Sequence, residues 1–207
     1  MRRLPAPEAR PRVATAGDAA AITELLVDAF ANDLMWGSSW AFPDPVTRRE
    51  QRSAVFRILV EGALRYPWVW LTSGTTAASL WIPPRGSDLS AQQETTLTTV
   101  LAEFQPATLD RINAGFELIA AARPRAEHYY LTLLGSAPTV AGQGIGLRLL
   151  RHTLALIDAA GAPAYLEAAD DLVPLYERFG FAVVEAFVLP DGPSVNTMWR
   201  PAINARI

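Results

Sequence analysis

Gly142-Gln143-Gly144-Ile145-Gly146, set between the apolar run Tyr129 to Leu134 and an amphipathic stretch from Ile145 to Ile157, decides how this chain is read. Three glycines at alternating positions leave successive backbone N–H groups free of Cβ obstruction. They do so where a helix begins and its first donors lack partners, backed by roughly half a positive charge from the helix dipole. Such a loop accepts an anion, and a phosphate-bearing cofactor is the first expectation.

The flanking segments alternate between strand and helix. His128 to Leu134 reads as a half-buried strand, and the helix after the glycines buries Ile145, Leu149, Leu156 and Ile157 while turning Arg148, Arg151, His152 and Asp158 outward. Gly161 stops that helix, and Ala164-Tyr165-Leu166-Glu167 forms the next strand, parallel to the first through a right-handed crossover. Asp171 caps a short helix with Pro174 in its first turn and Gly180 as its stop. Phe181 to Leu189 and Ser194 to Trp199 make a final hairpin across Pro190-Asp191-Gly192-Pro193.

Upstream, residues 1–11 read as a loose arm and Val13-Ala14-Thr15 as a short strand. Asp18 caps a helix with Ile22, Leu25, Leu26 and Phe30 at a 3.6-residue period. Asn32 to Pro45 is irregular and rich in aromatic residues, and a second helix runs from about Thr47 to Leu64. Trp68 to Leu71 and Ala78 to Ile82 form a hairpin across Ser73-Gly74-Thr75-Thr76. Two helical stretches, Ala91 to Phe104 and Ala107 to Ala122, then stand as an insertion between strands.

The chain has 207 residues, enough for one domain with a sizeable core. Half of them are hydrophobic, 19% are charged, and the net charge of −3 gives no support for nucleic acid as a partner. The absence of cysteine excludes disulfides, thiolate metal sites and cysteine acyl intermediates. Two histidines, His128 and His152, are too few for a histidine-rich metal centre, so no metal is expected. No segment approaches the roughly 18 apolar residues of a membrane span, and no secretory signal opens the chain, so a cytoplasmic location and no membrane partner are expected.

Among readings of the glycine loop, a dinucleotide-binding turn gains from Glu167, an acid about 20 residues on. It loses because the third fingerprint glycine would fall at Leu147 and because the loop does not follow its strand immediately. A P-loop fails for want of a Lys-Ser or Lys-Thr after the glycines. Leu175-Tyr176-Glu177-Arg178-Phe179-Gly180-Phe181, one strand downstream, tips the balance. Together with Gly142 to Gly146, it resembles the GNAT superfamily of acetyl-CoA-dependent N-acetyltransferases, strongly from His128 to Trp199. In wider layout the chain is similar to puromycin N-acetyltransferase-like members.

The resemblance implies an α+β fold: a mixed, mostly antiparallel twisted sheet of about six or seven strands flanked by helices, with a helical insertion before the central strand. It also implies one domain over 12–207, with an insertion at about 88–123 and an acetyl-CoA-binding core at about 128–200. The function implied is transfer of an acetyl group from acetyl-CoA to the amine of a small molecule, by direct attack in a ternary complex. Backbone groups of Leu134, Gly135 and Ser136 match the positions that pair with the pantetheine arm. The loop Ala141, Gly142, Gln143, Gly144, Ile145 and Gly146 matches the pyrophosphate cradle, with Arg148 and Arg151 nearby on a solvated helix face. Tyr176 matches the acid that protonates the departing thiolate; a phenol with a pKa near 10 keeps its proton at neutral pH. His128 and Glu167 are both candidates for the base.

The chain also departs from the pattern. Ala141 stands where the family usually has Gln or Arg, Leu172 where it often has Asn, and Ser136 where Val is typical. These departures keep a second reading open, a non-catalytic acyl-CoA-binding or regulatory module. For the acceptor, alternation places Tyr130 and Thr132 on one face with His128. Trp36, Trp40, Phe42, Trp70 and Trp81 are candidate pocket walls for an apolar or aromatic amine, and Asp33 and Asp44 could attract its charge. The expected partner is a small-molecule amine, and the oligomeric state is left at monomer or homodimer.

Overall fold

The computed structural model describes residues 10–36 and 40–203. Most of the expected arm, and part of the irregular aromatic segment, lie outside the described residues.

Among the described residues, seven strands form one sheet in the order β1-β2-β3-β4-β5-β7-β6. They are β1 (Arg12–Val13), β2 (Val69–Leu71), β3 (Ala77–Ile82), β4 (Tyr129–Ser136), β5 (Ala164–Ala168), β6 (Ala182–Val188) and β7 (Ser194–Arg200). All neighbours pair antiparallel except β4 and β5, the parallel pair that the strand–helix–strand order requires. The expected α+β architecture is thus observed.

The helices are α1 (Ala19–Ala29), α2 (Arg48–Ala63), α3 (Ala91–Leu101), α4 (Pro106–Ala122), α5 (Ile145–Ala159) and the short α6 (Val173–Glu177). Helix α1 buries Ile22, Leu25 and Leu26, as their period requires. Ser90 and Gln93 close a reciprocal capping box at the start of α3, and Pro106 opens α4 where no amide hydrogen is needed. Both devices confine the two helices to the segment between β3 and β4.

Two apolar cores flank the sheet. One joins α1 and α2 to Val69, Leu71, Leu80 and Leu133; the other joins α5 to Trp81, Tyr129, Leu131 and Leu166. The close approach of α1 to β4 depends on Gly135, where a Cβ would stand 2.8 Å from Leu26 Cδ2 and 3.0 Å from the Ala29 Cβ.

Helix α5 corrects two expectations. His152 does not face water: its ring stacks edge-on against Trp70 at 4.9 Å, and its Nε2 is buried without a partner. Asp158 grips Arg200 with both oxygens, tying the helix end to β7. A helical wheel assigns these residues to the outer face because it cannot show that neighbouring elements extend past the helix stripe.

Strand β4 departs from simple alternation as well. Leu133 pairs with Leu80 and Leu131 with Trp81, so Thr132 is an extra residue, a β-bulge. The bulge turns the strand. Leu131 therefore packs in the α5 core while Leu133 packs in the α1–α2 core.

Candidate active site

The bulge and the parallel pair meet at one point. Strands β4 and β5 are in register only at Tyr129–Ala164, Tyr130–Tyr165 and Leu131–Leu166. Beyond Leu166 they separate, and Thr132 and Glu167 are the first residues past the last pair. A cavity of about 420 Å³ opens there, bounded by both strands, the turn after α1, helices α2, α3 and α4, and the segment carrying Tyr176. Its size and largely apolar wall suit a small organic ligand.

Glu167 and Tyr176 both line this cavity. Burial pushes the Glu167 carboxyl up to about 7, while the Tyr130 phenol, the Arg123 guanidinium and the Tyr165 phenol oppose that rise only in part. Glu167 Oε1 is buried without a hydrogen-bond partner, which leaves it able to receive a proton from a ligand. Burial, reinforced by the negative charge of Asp33, raises the Tyr176 phenol to about 12. One group is poised to accept a proton near neutrality and the other to keep one, the pairing that acid–base chemistry needs.

Asp33 lies in the turn after α1 and also lines the cavity. Its Oδ1 accepts the amides of Met35 at 2.8 Å and Trp36 at 2.6 Å. Burial nevertheless raises its pKa above the ordinary carboxyl value. Arg123, just past the end of α4, reaches in from the helical insertion. Its two terminal nitrogens donate to both oxygens of Asp88 at 3.0 and 2.9 Å, and its guanidinium lies over the Tyr130 ring at 4.0 Å. The sequence reading missed Arg123 and Asp88, which are 35 residues apart and lie outside any recognisable motif.

Of the other candidates, Tyr130, Thr132, Leu134 and Trp36 line the cavity. His128 does not. Its Nδ1 lies 2.6 Å from the Ala126 carbonyl, so that nitrogen carries the proton, and its ring packs against Tyr165 and Trp199. Burial lowers its pKa. Four aromatic candidates also stand elsewhere. Trp40 is 2% exposed and donates from Nε1 to Pro190 O at 2.8 Å. Phe42 packs edge-on against Phe104, Trp70 covers His152, and Trp81 is wholly buried beneath α5. These side chains face the cores or the far side of the sheet, and composition alone could not separate them from Trp36. Asp44 accepts from Val46 N and Thr47 Oγ1 near the start of α2, outside the cavity wall.

The glycine loop adopts the form its sequence suggests. Gly142 and Gly144 have φ of +74° and +72°, a conformation costly for any residue with a Cβ. Gly144 caps α5, so the first amides of that helix open at the loop. Gly146 lies against Ser136: a Cβ there would be 2.6 Å from Ser136 Oγ. Arg148 bends back and donates from Nη1 to Gln143 O at 2.9 Å, and Arg151 lies over the Phe179 ring at 5.7 Å. A dipole-backed cradle beside splayed strands fits a diphosphate joined to an extended arm.

Residues 99–199 match the family model described as an acetyltransferase (GNAT) domain. Among solved structures, the chain is similar to the histone acetyltransferase HPA2 and related acetyltransferase from Corynebacterium glutamicum. That match has a TM-score of 0.72 and 23% identity, covering 97% of this chain and 100% of the other. A polyamine N-acetyltransferase from Drosophila melanogaster superposes with a TM-score of 0.57 and 14% identity, covering 92% and 98%. The NatC complex bound to Gag peptide and CoA contains a chain that matches with a TM-score of 0.55 and 14% identity, covering 95% and 100%. At these identities the likeness is one of fold.

Proposed function

Because the chain is a member of the GNAT superfamily, we propose that it transfers an acetyl group from acetyl-CoA to the amine of a small molecule, with Glu167 as base and Tyr176 as acid. The observation carrying this reading is that both side chains line one cavity at the mouth of the splayed strands, with pKa values of about 7 and about 12. Family membership makes acetyl-CoA the expected donor.

The residues present fit that donor. Amides from Gly142 to Gly146 would hold the diphosphate, the free edge of β4 at Leu134, Gly135 and Ser136 would pair with the pantetheine arm, and Leu172 would supply apolar contact. When bound, acetyl-CoA supplies an acyl carbon activated as a thioester. Glu167 removes the proton from the acceptor's ammonium, leaving a nitrogen lone pair to form the new N–C bond as the C–S bond breaks. Backbone amides near Leu134 offset the negative charge that develops on the carbonyl oxygen. Tyr176 gives its proton to the departing sulfur, and the second proton that leaves the acylated nitrogen restores the phenol. No covalent enzyme intermediate is needed, and the apolar wall excludes competing water.

Incubation of the purified chain with acetyl-CoA and a panel of amines, with free thiol as the readout, tests this proposal. Amine-dependent thiol release is expected. Stabilisation by coenzyme A without release on any amine would instead favour a binding module.

A further inference from the structure

The wall of the cavity divides by chemistry. Phe30, Met35, Trp36, Leu97, Phe116 and Ile119 form an apolar side. Phe30 and Trp36 each meet the buried Phe56 behind them edge-on, with centroids 5.6 Å apart, and Trp36 meets Phe116 at a tilt with centroids 6.3 Å apart. Such walls favour a ring-bearing guest, whose edge and face both find partners. The wall also holds, among the described residues, three carboxylates, Asp33, Asp88 and Glu167, and a single guanidinium, Arg123.

That guanidinium is already engaged. Both terminal nitrogens are on Asp88, one face covers Tyr130, and Nε is buried without a partner. Its remaining N–H groups, on Nε and on each terminal nitrogen, carry a charge that Asp88 already balances, so they offer an anion hydrogen bonds without a spare positive charge. No other Lys or Arg among the described residues lines the cavity. An anionic group on the acceptor would therefore lose its water, find no free cation and face Asp33 and Glu167.

Resting on the acetyl-transfer reading, we propose that the acceptor is an amine on an apolar, ring-bearing body that carries no carboxylate or phosphate, and that Asp88 enforces this choice by balancing the charge of Arg123. The amine enters toward Glu167 and the body lies against Trp36 and Phe116.

The test compares 2-phenylethylamine, phenylalanine and spermidine on the full chain, by acetyl-CoA-dependent thiol release and by calorimetric binding without acetyl-CoA. It is repeated on Asp88→Asn, which leaves the Arg123 charge without its counter-ion. For the unaltered chain, kcat/KM for 2-phenylethylamine should exceed that for phenylalanine by roughly 100-fold, as expected when a buried charge is left unpaired. Asp88→Asn should narrow that ratio about tenfold, by binding phenylalanine better. Equal or better use of phenylalanine or spermidine by the unaltered chain overturns the inference and leaves acetyl transfer standing, as does an unchanged ratio in a folded Asp88→Asn. Selective binding of 2-phenylethylamine with no thiol release supports the inference and removes the acetyl-transfer reading. Absence of both binding and turnover overturns both. If the variant fails to fold, the three amines on the unaltered chain decide the matter alone.

Discussion

The Arg123 guanidinium lies 4.0 Å from the centre of the Tyr130 ring, so the end of the helical insertion is seated on the central strand. Tyr130 precedes the last paired position of β4 and β5 and stands beside Glu167. The insertion is therefore a wall of the cavity, and the charge it carries acts on the carboxyl assigned as base.

Glu167 should govern the acid limb of the pH profile. Its carboxylate must be ionised to take a proton, so kcat/KM should fall as pH drops through about 7. Glu167→Gln should lower kcat/KM by roughly 100-fold or more and abolish that limb. An acid limb unchanged in the variant would remove Glu167 from the role.

The same carboxyl should leave a mark on stability. Burial raises its pKa from 4.5 to about 7 in the folded protein, so the folded state holds this proton more tightly than the unfolded chain. The stability gained this way is complete below the unfolded value and is lost as pH rises through about 7. Glu167→Gln should therefore exceed the parent protein in Tm at pH 8, by an amount corresponding to about 3 kcal/mol at most, and show little difference at pH 4. Thermal melts of the two proteins across this range check the sign.

Tyr176→Phe keeps the ring against Phe181 and deletes the proton. Turnover at neutral pH should fall by roughly 10- to 100-fold while coenzyme A affinity, measured by calorimetry, stays nearly constant. Unaltered turnover would take the acid role from Tyr176.

Gly144→Ala forces a Cβ onto a residue with φ of +72°, at a cost of about 1–2 kcal/mol. The strain falls on the loop, so the coenzyme A dissociation constant should rise about tenfold, with a smaller change in overall stability.

Gly115→Ala probes the packing of α4. The new Cβ would stand 2.6 Å from Trp40 Cζ2, and Trp40 is held by its bond to Pro190 O. Overpacking should cost about 1–3 kcal/mol and lower Tm, as read by calorimetric melting.

The sequence by itself determined the elements and their order. Ile22, Leu25 and Leu26 mark α1 by their period, Gly142 and Gly144 mark a left-handed turn before α5, and the strand–helix–strand order predicts the parallel pair. These signals are local, because helix period, turn geometry and crossover handedness are properties of short chain segments. Tyr176 and Glu167 were also within reach, through a motif and through a position at a strand end.

Tertiary structure alone decided which polar and aromatic groups share the cavity. Trp36 was chosen over Trp40, Trp70 and Trp81 by the path of the loop and the face of each strand, which composition does not encode. The extra residue at Thr132 rotated β4 and undid the alternation that would have aligned it with His128. Arg123 and Asp88 met because the segment holding α3 and α4 leaves the sheet after Ile82 and returns beside it at Tyr130, which brings its two ends together. Burial, a property of the assembled molecule, moved the Glu167 carboxyl toward neutrality. Such contacts depend on how elements pack across long sequence separations, where no local pattern is imposed.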